Sequence, residues 1–176
     1  MTAHRNRYHT LWFDPGYIAT GWAWFVIDVR AFTHHSIKVL PHVVDWDTGE
    51  FKGTPFDQIE DAKRLIERVC YGEMPYVPDR TVGSEDFRLA QLIGATDELM
   101  APVRFNAVIG HECQRLYGTF LELQDRSLRT GITKDRLRMM GFSASGKDSF
   151  AAMQHALVWL RRQKKRANRL PWKLYE

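Results

Sequence analysis

Two β-prone runs, residues 9–13 (HTLWF) and 21–29 (GWAWFVIDV), flank Asp14-Pro15-Gly16, and this arrangement constrains the chain more than any other feature. Aromatic and β-branched residues fill both runs, and Pro-Gly punctuation between such runs predicts an antiparallel hairpin. A third strand is expected over residues 36–45, closed by a turn at Asp47-Thr48-Gly49. Three strands joined by short turns form a meander.

Helices enter after this point. Thr54 as cap, Pro55 at the first position and Asp57 in the first turn start one. Its apolar residues Phe56, Ile59, Ala62, Leu65, Ile66 and Val69 recur at three and four, which places them on one face. A fourth strand is expected over 81–87 (TVGSEDF) and a helix over 102–116, which carries Val103, Ala107, Val108 and Cys113. A fifth strand over 119–123 (TFLEL) and a polar helix over 133–140 follow. After GFSASG a final helix runs over 147–166. Strands separated by helices favour parallel crossovers, so the expected fold is α/β, with a mixed five-stranded sheet flanked by helices.

At 176 residues and 44% hydrophobic content, with no internal repeat or long linker, the chain suits one domain over 1–176. Cys70 and Cys113 show no paired spacing, which points away from a disulfide framework or zinc site and fits a reducing cytoplasm. Residues 18–29 include Thr20, Gly21 and Asp28 and are too short to cross a bilayer. His4, Arg5, Arg7 and His9 precede no clean apolar segment, so no secretory signal is read. The net charge of +4 is modest, but 161–169 (RRQKKRANR) holds six basic residues and no acid. The basic tail, about 161–176, is either a solvated helix end or a nucleic-acid contact.

Four residues carry the chemistry. Asp14 ends the first strand, where a carboxylate serves either as a turn residue or as a ligand. Glu85 interrupts the fourth strand; Asp86 beside it points to the opposite face, and parity alone does not choose between them. Asp148 opens the last helix, where an acid suits the dipole. His155 lies two turns further on the same face, as a core histidine or a proton-transfer helper. Carboxylates brought together from distant segments suit Mg²⁺, and two ions about 4 Å apart can activate water and stabilise a leaving oxygen in phosphodiester cleavage. Clustered acids repel one another unless a cation neutralises them.

Residues 11–27 (LWFDPGYIATGWAWFVI) resemble the first hairpin of RuvC-type Holliday junction resolvases: an apolar strand, Asp-Pro-Gly, Thr-Gly and a second apolar strand. VGSEDF at 82–87 resembles their central strand, FLELQDRSLR at 120–129 the segment leading to a DNA-facing helix, and GKDSFAAMQHALVWL at 146–160 the last motif. The resemblance implies an RNase H-like fold, a homodimer, and Mg²⁺- or Mn²⁺-dependent nicking of four-way junctions, and the small size and divergence resemble the resolvase-like proteins of bacteriophages. It implies Asp14, Glu85 and Asp148 as ligands of two ions, with Asp14 bridging and His155 assisting. Arg126, Arg129, Lys134, Arg136, Arg138 and Lys147 would contact phosphates. The chain departs from the pattern in its last motif, where Ser145 and Ala151 stand three residues from Asp148 in place of a second acid. Two rival readings are another RNase H-like nuclease, acting on RNA–DNA hybrids or flaps, and an inactive DNA-binding scaffold. Trp159, Trp172 and Tyr175 are candidates for a dimer surface.

Overall fold

The computed structural model describes residues 7–28, 43–71, 80–87 and 96–166. Strands β1 (Arg7–Asp14), β2 (Ala19–Asp28) and β3 (Val43–Lys52) form the antiparallel meander. Helix α1 (Pro55–Tyr71) leads towards β4 (Arg80–Asp86), and α2 (Asp97–Tyr117) towards β5 (Glu122–Asp125). A 3-10 segment (Arg126–Gly131), α3 (Lys134–Met139) and α4 (Lys147–Arg166) complete the order. The sheet runs β3-β2-β1-β4-β5, with β4 parallel to β1 and β5 parallel to β4, so the expected mixed five-stranded sheet flanked by helices is what forms.

Side-chain alternation divides the core in two. Tyr8 and Trp12 of β1, with Ala23, Phe25 and Ile27 of β2, pack beneath Ala152, Met153, Ala156 and Leu157 of α4. Leu11 and Phe13, with Val82 of β4, face α1 and α2 through Ala62, Leu65, Ile66, Phe105 and Ile109. Period-two alternation thus buries both faces of β1, and each large side chain removed from water contributes about 1.5–3 kcal/mol. Gln58 ties α1 to the hairpin: it accepts from the Thr20 hydroxyl at 2.7 Å and donates to the Tyr17 and Gly53 carbonyls at 3.0 Å each.

Several expectations are corrected. Asp47-Thr48-Gly49 is no turn but the middle of β3, paired with Trp24, Ala23 and Trp22. The residue types that suggested a turn serve packing: Thr48 donates its hydroxyl to the Trp22 carbonyl at 2.8 Å, and a Cβ on Gly49 would lie 2.7 Å from the Trp22 ring. Residues 36–42 of the expected third strand lie outside the described residues. Helix α2 begins at Asp97, five residues before Pro102, because the Thr96 side chain caps it. The fifth strand is shifted to Glu122–Asp125. Phe56 is 69% exposed, in the first turn of α1 and away from the buried stripe. Trp159 is buried; it stacks on Tyr8 and donates to Glu122 at 3.0 Å, so it offers no free surface. Trp172 and Tyr175 lie outside the described residues.

Candidate active site

The parallel pairing sets the site. Phe13 pairs with Ser84, so Asp14 falls level with Glu85, and Glu85 pairs with Gln124 of β5. Val82 is on the α1/α2 side of the sheet, so alternation turns Glu85 to the α4 side and Asp86 away. Asp14, Glu85 and Gln124 therefore form a row across the carboxyl ends of three neighbouring parallel strands, beneath α4. His155 reaches that row from α4: its Nε2 lies 3.1 Å from Glu85 Oε2, and its Nδ1 lies 2.9 Å from Gln124 Oε1. Gln124 Oε1 can only accept, so it fixes the ring with Nδ1 as donor and turns Nε2 towards Glu85.

One ligand atom from each of Asp14, Glu85 and His155 lies within 4.8 Å of the others. Among the described residues this is the group of acids and histidine able to share a cation. Asp148 does not join it. Its carboxylate sits in the first turn of α4, near enough for its charge to help raise Asp14. Arg129 is also inside the site, with Nη1 3.1 Å from Asp14 Oδ1 and 2.9 Å from Glu85 Oε2.

Protonation follows from this crowding. Burial first, then the hydrogen bond and charge of Glu85, push the Asp14 carboxyl up to about 8, against the opposing pull of Arg129. Burial alone would raise Glu85 too, but hydrogen bonds from His155 and Asp14 and the Arg129 charge outweigh it and hold Glu85 below the usual range. The pair thus keeps one proton near neutral pH, residing on Asp14. Burial and the neighbouring Glu50 raise Asp148, with Lys147 and Arg129 opposing.

This donor set fits a divalent cation. Two buried carboxylates and an imidazole converge, and the space between them already draws a proton and a guanidinium, so the site is short of positive charge. Asp14, Glu85 and His155 would hold the ion, with Asp148 at the rim. An imidazole ligand suits Mn²⁺ at least as well as Mg²⁺.

No protein-family model matches the chain, and no curated protein matches it. Solved structures do. T. thermophilus RuvC in complex with a Holliday junction substrate aligns with 86% of this chain and 92% of its own, at 12% identity and a TM-score of 0.53. A second Thermus thermophilus RuvC structure aligns with 89% of this chain and 97% of its own, at 11% identity and a TM-score of 0.50. The fold is RuvC-like.

Within this RuvC-like fold, Arg126, Lys134, Arg136, Arg138 and Lys147 are exposed on the 3-10 segment, α3 and the start of α4. Arg129, grouped with them in the sequence, is instead turned inward onto the acids. Sequence reasoning missed Glu50 of β3, whose Oε1 accepts from the backbone N–H of Asp148 at 3.1 Å and of Ser149 at 3.5 Å. It thereby satisfies the α4 terminus and releases the Asp148 side chain from capping. Its position was hidden by reading the residues just before it as a turn. Thr-Gly of the first motif also gains a physical reason: Gly21 pairs with Asp14, and a Cβ there would lie 1.9 Å from the Asp148 carbonyl carbon. Only glycine lets α4 descend onto β2 beside the first carboxylate.

Proposed function

We propose that the protein is a divalent-metal-dependent, structure-specific endodeoxyribonuclease that hydrolyses phosphodiesters in four-way junctions or other branched DNA. The observation that carries this reading is the convergence of Asp14, Glu85 and His155 at the carboxyl ends of three parallel strands in a RuvC-like fold. The solved structure it resembles is of RuvC with a Holliday junction substrate. When bound, one or two Mg²⁺ or Mn²⁺ ions supply Lewis-acid activation of water and offset the charge that develops on the phosphate. The chain itself does the rest. Asp14 gives up its proton to become a ligand, and Glu85 is held ionised by His155. Gln124 fixes the His155 ring, and Glu50 keeps Asp148 free at the rim.

Arg126, Lys134, Arg136, Arg138 and Lys147 bind phosphates, which positions DNA without reading its sequence. Recognition then depends on branch shape and falls with salt. The reading extends to a single domain over 1–176, a basic tail that adds to the DNA surface, a homodimer that presents two sites to a junction, a cytoplasmic location and a bacteriophage source. No helix among the described residues is long and apolar enough to cross a membrane.

Cleavage of a synthetic four-way junction with Mg²⁺ or Mn²⁺ tests the proposal, alongside flap and RNA–DNA hybrid substrates. Junction cutting is expected, and Asp14→Asn abolishes it while keeping junction binding, because the amide preserves shape and loses the charge a cation needs. Equal cutting by both proteins would remove Asp14 from the mechanism. A second reading, an inactive junction-binding scaffold, draws on the ion pairs that Arg129 makes with Asp14 and Glu85; it predicts binding without cutting in either metal.

A further inference from the structure

Arg129 stands apart from the other basic residues around the site. Its guanidinium is largely buried, while Arg126, Lys134, Arg136, Arg138 and Lys147 are exposed. One nitrogen, Nη1, is shared between Asp14 Oδ1 at 3.1 Å and Glu85 Oε2 at 2.9 Å. Those two carboxylates also belong to the three-residue group that can hold a metal ion. A guanidinium nitrogen and a divalent cation cannot both lie between the same oxygens, since each needs the same lone pairs and like charges at contact distance repel.

The backbone beneath Arg129 is anchored. Asp125 caps the 3-10 segment by accepting from the Ser127 N–H at 2.8 Å, and Gln154 of α4 donates to the Arg129 carbonyl at 3.4 Å and to the Ile132 carbonyl. Gln154 is the residue immediately before His155, so the root of Arg129 is fixed to the same helix turn that supplies the third ligand. With the root held, the guanidinium leaves by rotation about its own side-chain bonds, and the segment need not unfold.

We propose that Arg129 is the site's resident counter-ion, a built-in competitor that holds Asp14 and Glu85 together without metal and must be expelled before a divalent cation binds. The inference rests on the proposed metal-dependent reading and goes beyond it by giving the cation-free site a defined state. Arg129 then sets the cation concentration at which the site loads, and its release adds a positive charge to the DNA-facing surface only when the site is filled. It is a positioning residue in the first state and a phosphate ligand in the second.

Calorimetric titration of Mn²⁺ into the full chain, without DNA, separates the alternatives when run on the native protein, Arg129→Gln and Asp14→Asn. Arg129→Gln is expected to bind Mn²⁺ about tenfold more tightly than the native chain, and Asp14→Asn to bind none. A crystal of the native chain grown with Mn²⁺, with the ion located by anomalous scattering, is expected to show Arg129 withdrawn from both carboxylates. Equal Mn²⁺ affinity in native and Arg129→Gln proteins overturns the competition while leaving the metal site intact. So does a crystal in which Mn²⁺ is bound and both Arg129 ion pairs persist. Absence of Mn²⁺ binding in native and Arg129→Gln proteins alike, each with a cooperative melt that shows it folded, overturns the metal reading itself.

Discussion

Cation binding should be strongly pH-dependent, because the residue at the centre of the site holds a proton that a metal must displace. Asp14 is pushed up to about 8 by burial and by Glu85, so between pH 6 and 8 its carboxyl is mostly protonated in the cation-free protein. Only the ionised form is a ligand. Each pH unit well below that value therefore costs about tenfold in apparent affinity, or about 1.4 kcal/mol, and lowering the pH from 8, where the group is half ionised, to 6 should weaken Mn²⁺ binding by about fiftyfold. Titration calorimetry in buffers of different ionisation enthalpy should show about one proton released per ion at pH 6.5. The same proton has the opposite effect on the empty protein. The folded value near 8 lies above the ordinary 3.8, so the folded chain holds a proton that the unfolded chain has shed between those limits. Stability without cation is then fullest at low pH and declines as pH rises towards 8, by up to about 1.4 kcal/mol per unit. The lowered value of Glu85 opposes this at the acid end, where protonating Glu85 costs stability. Mn²⁺ affinity that stays flat from pH 6 to 8, with no proton released, would refute the reasoning.

Other consequences are more local. Gly21→Ala places a methyl against the backbone of Asp148 and should cost about 3 kcal/mol in urea unfolding, together with loss of junction cutting as α4 is lifted from β2. Glu50→Ala removes the acceptor at the α4 terminus and should cost about 1 kcal/mol, whereas Glu50→Gln should keep most of that stability. Both should lower the Asp148 titration midpoint seen by carboxylate NMR, because the repelling charge is gone. Arg126→Ala and Arg136→Ala should each weaken junction binding and reduce the slope of log affinity against log salt by about 1, whatever the junction sequence.

Much of the sheet was legible because its signals are local. The aromatic runs on either side of Asp14-Pro15-Gly16 form β1 and β2, and the three-and-four spacing of Ile59, Ala62, Leu65, Ile66 and Val69 forms the inner face of α1. The boundaries of α4 agree with its sequence reading, since GFSASG ends one segment and small apolar residues begin the next. Where a residue served a distant partner, local reasoning misled: Gly49 makes room for Trp22 and does not bend the chain, and Trp159 is occupied by Tyr8 and Glu122.

Residue types and order, by themselves, determined that Asp14, Glu85, Asp148 and His155 lie at the ends or middles of elements that pack together. Tertiary structure alone decided their partners. The parallel register of β1, β4 and β5 chose Glu85 over Asp86, and the descent of α4 onto Gly21 brought His155 to Glu85 while leaving Asp148 beside Glu50. The physical reason is range: strand alternation and helix periodicity are set within a few residues, whereas a shared cation site depends on the distances between segments separated by 70 positions or more, which only strand pairing and core packing fix.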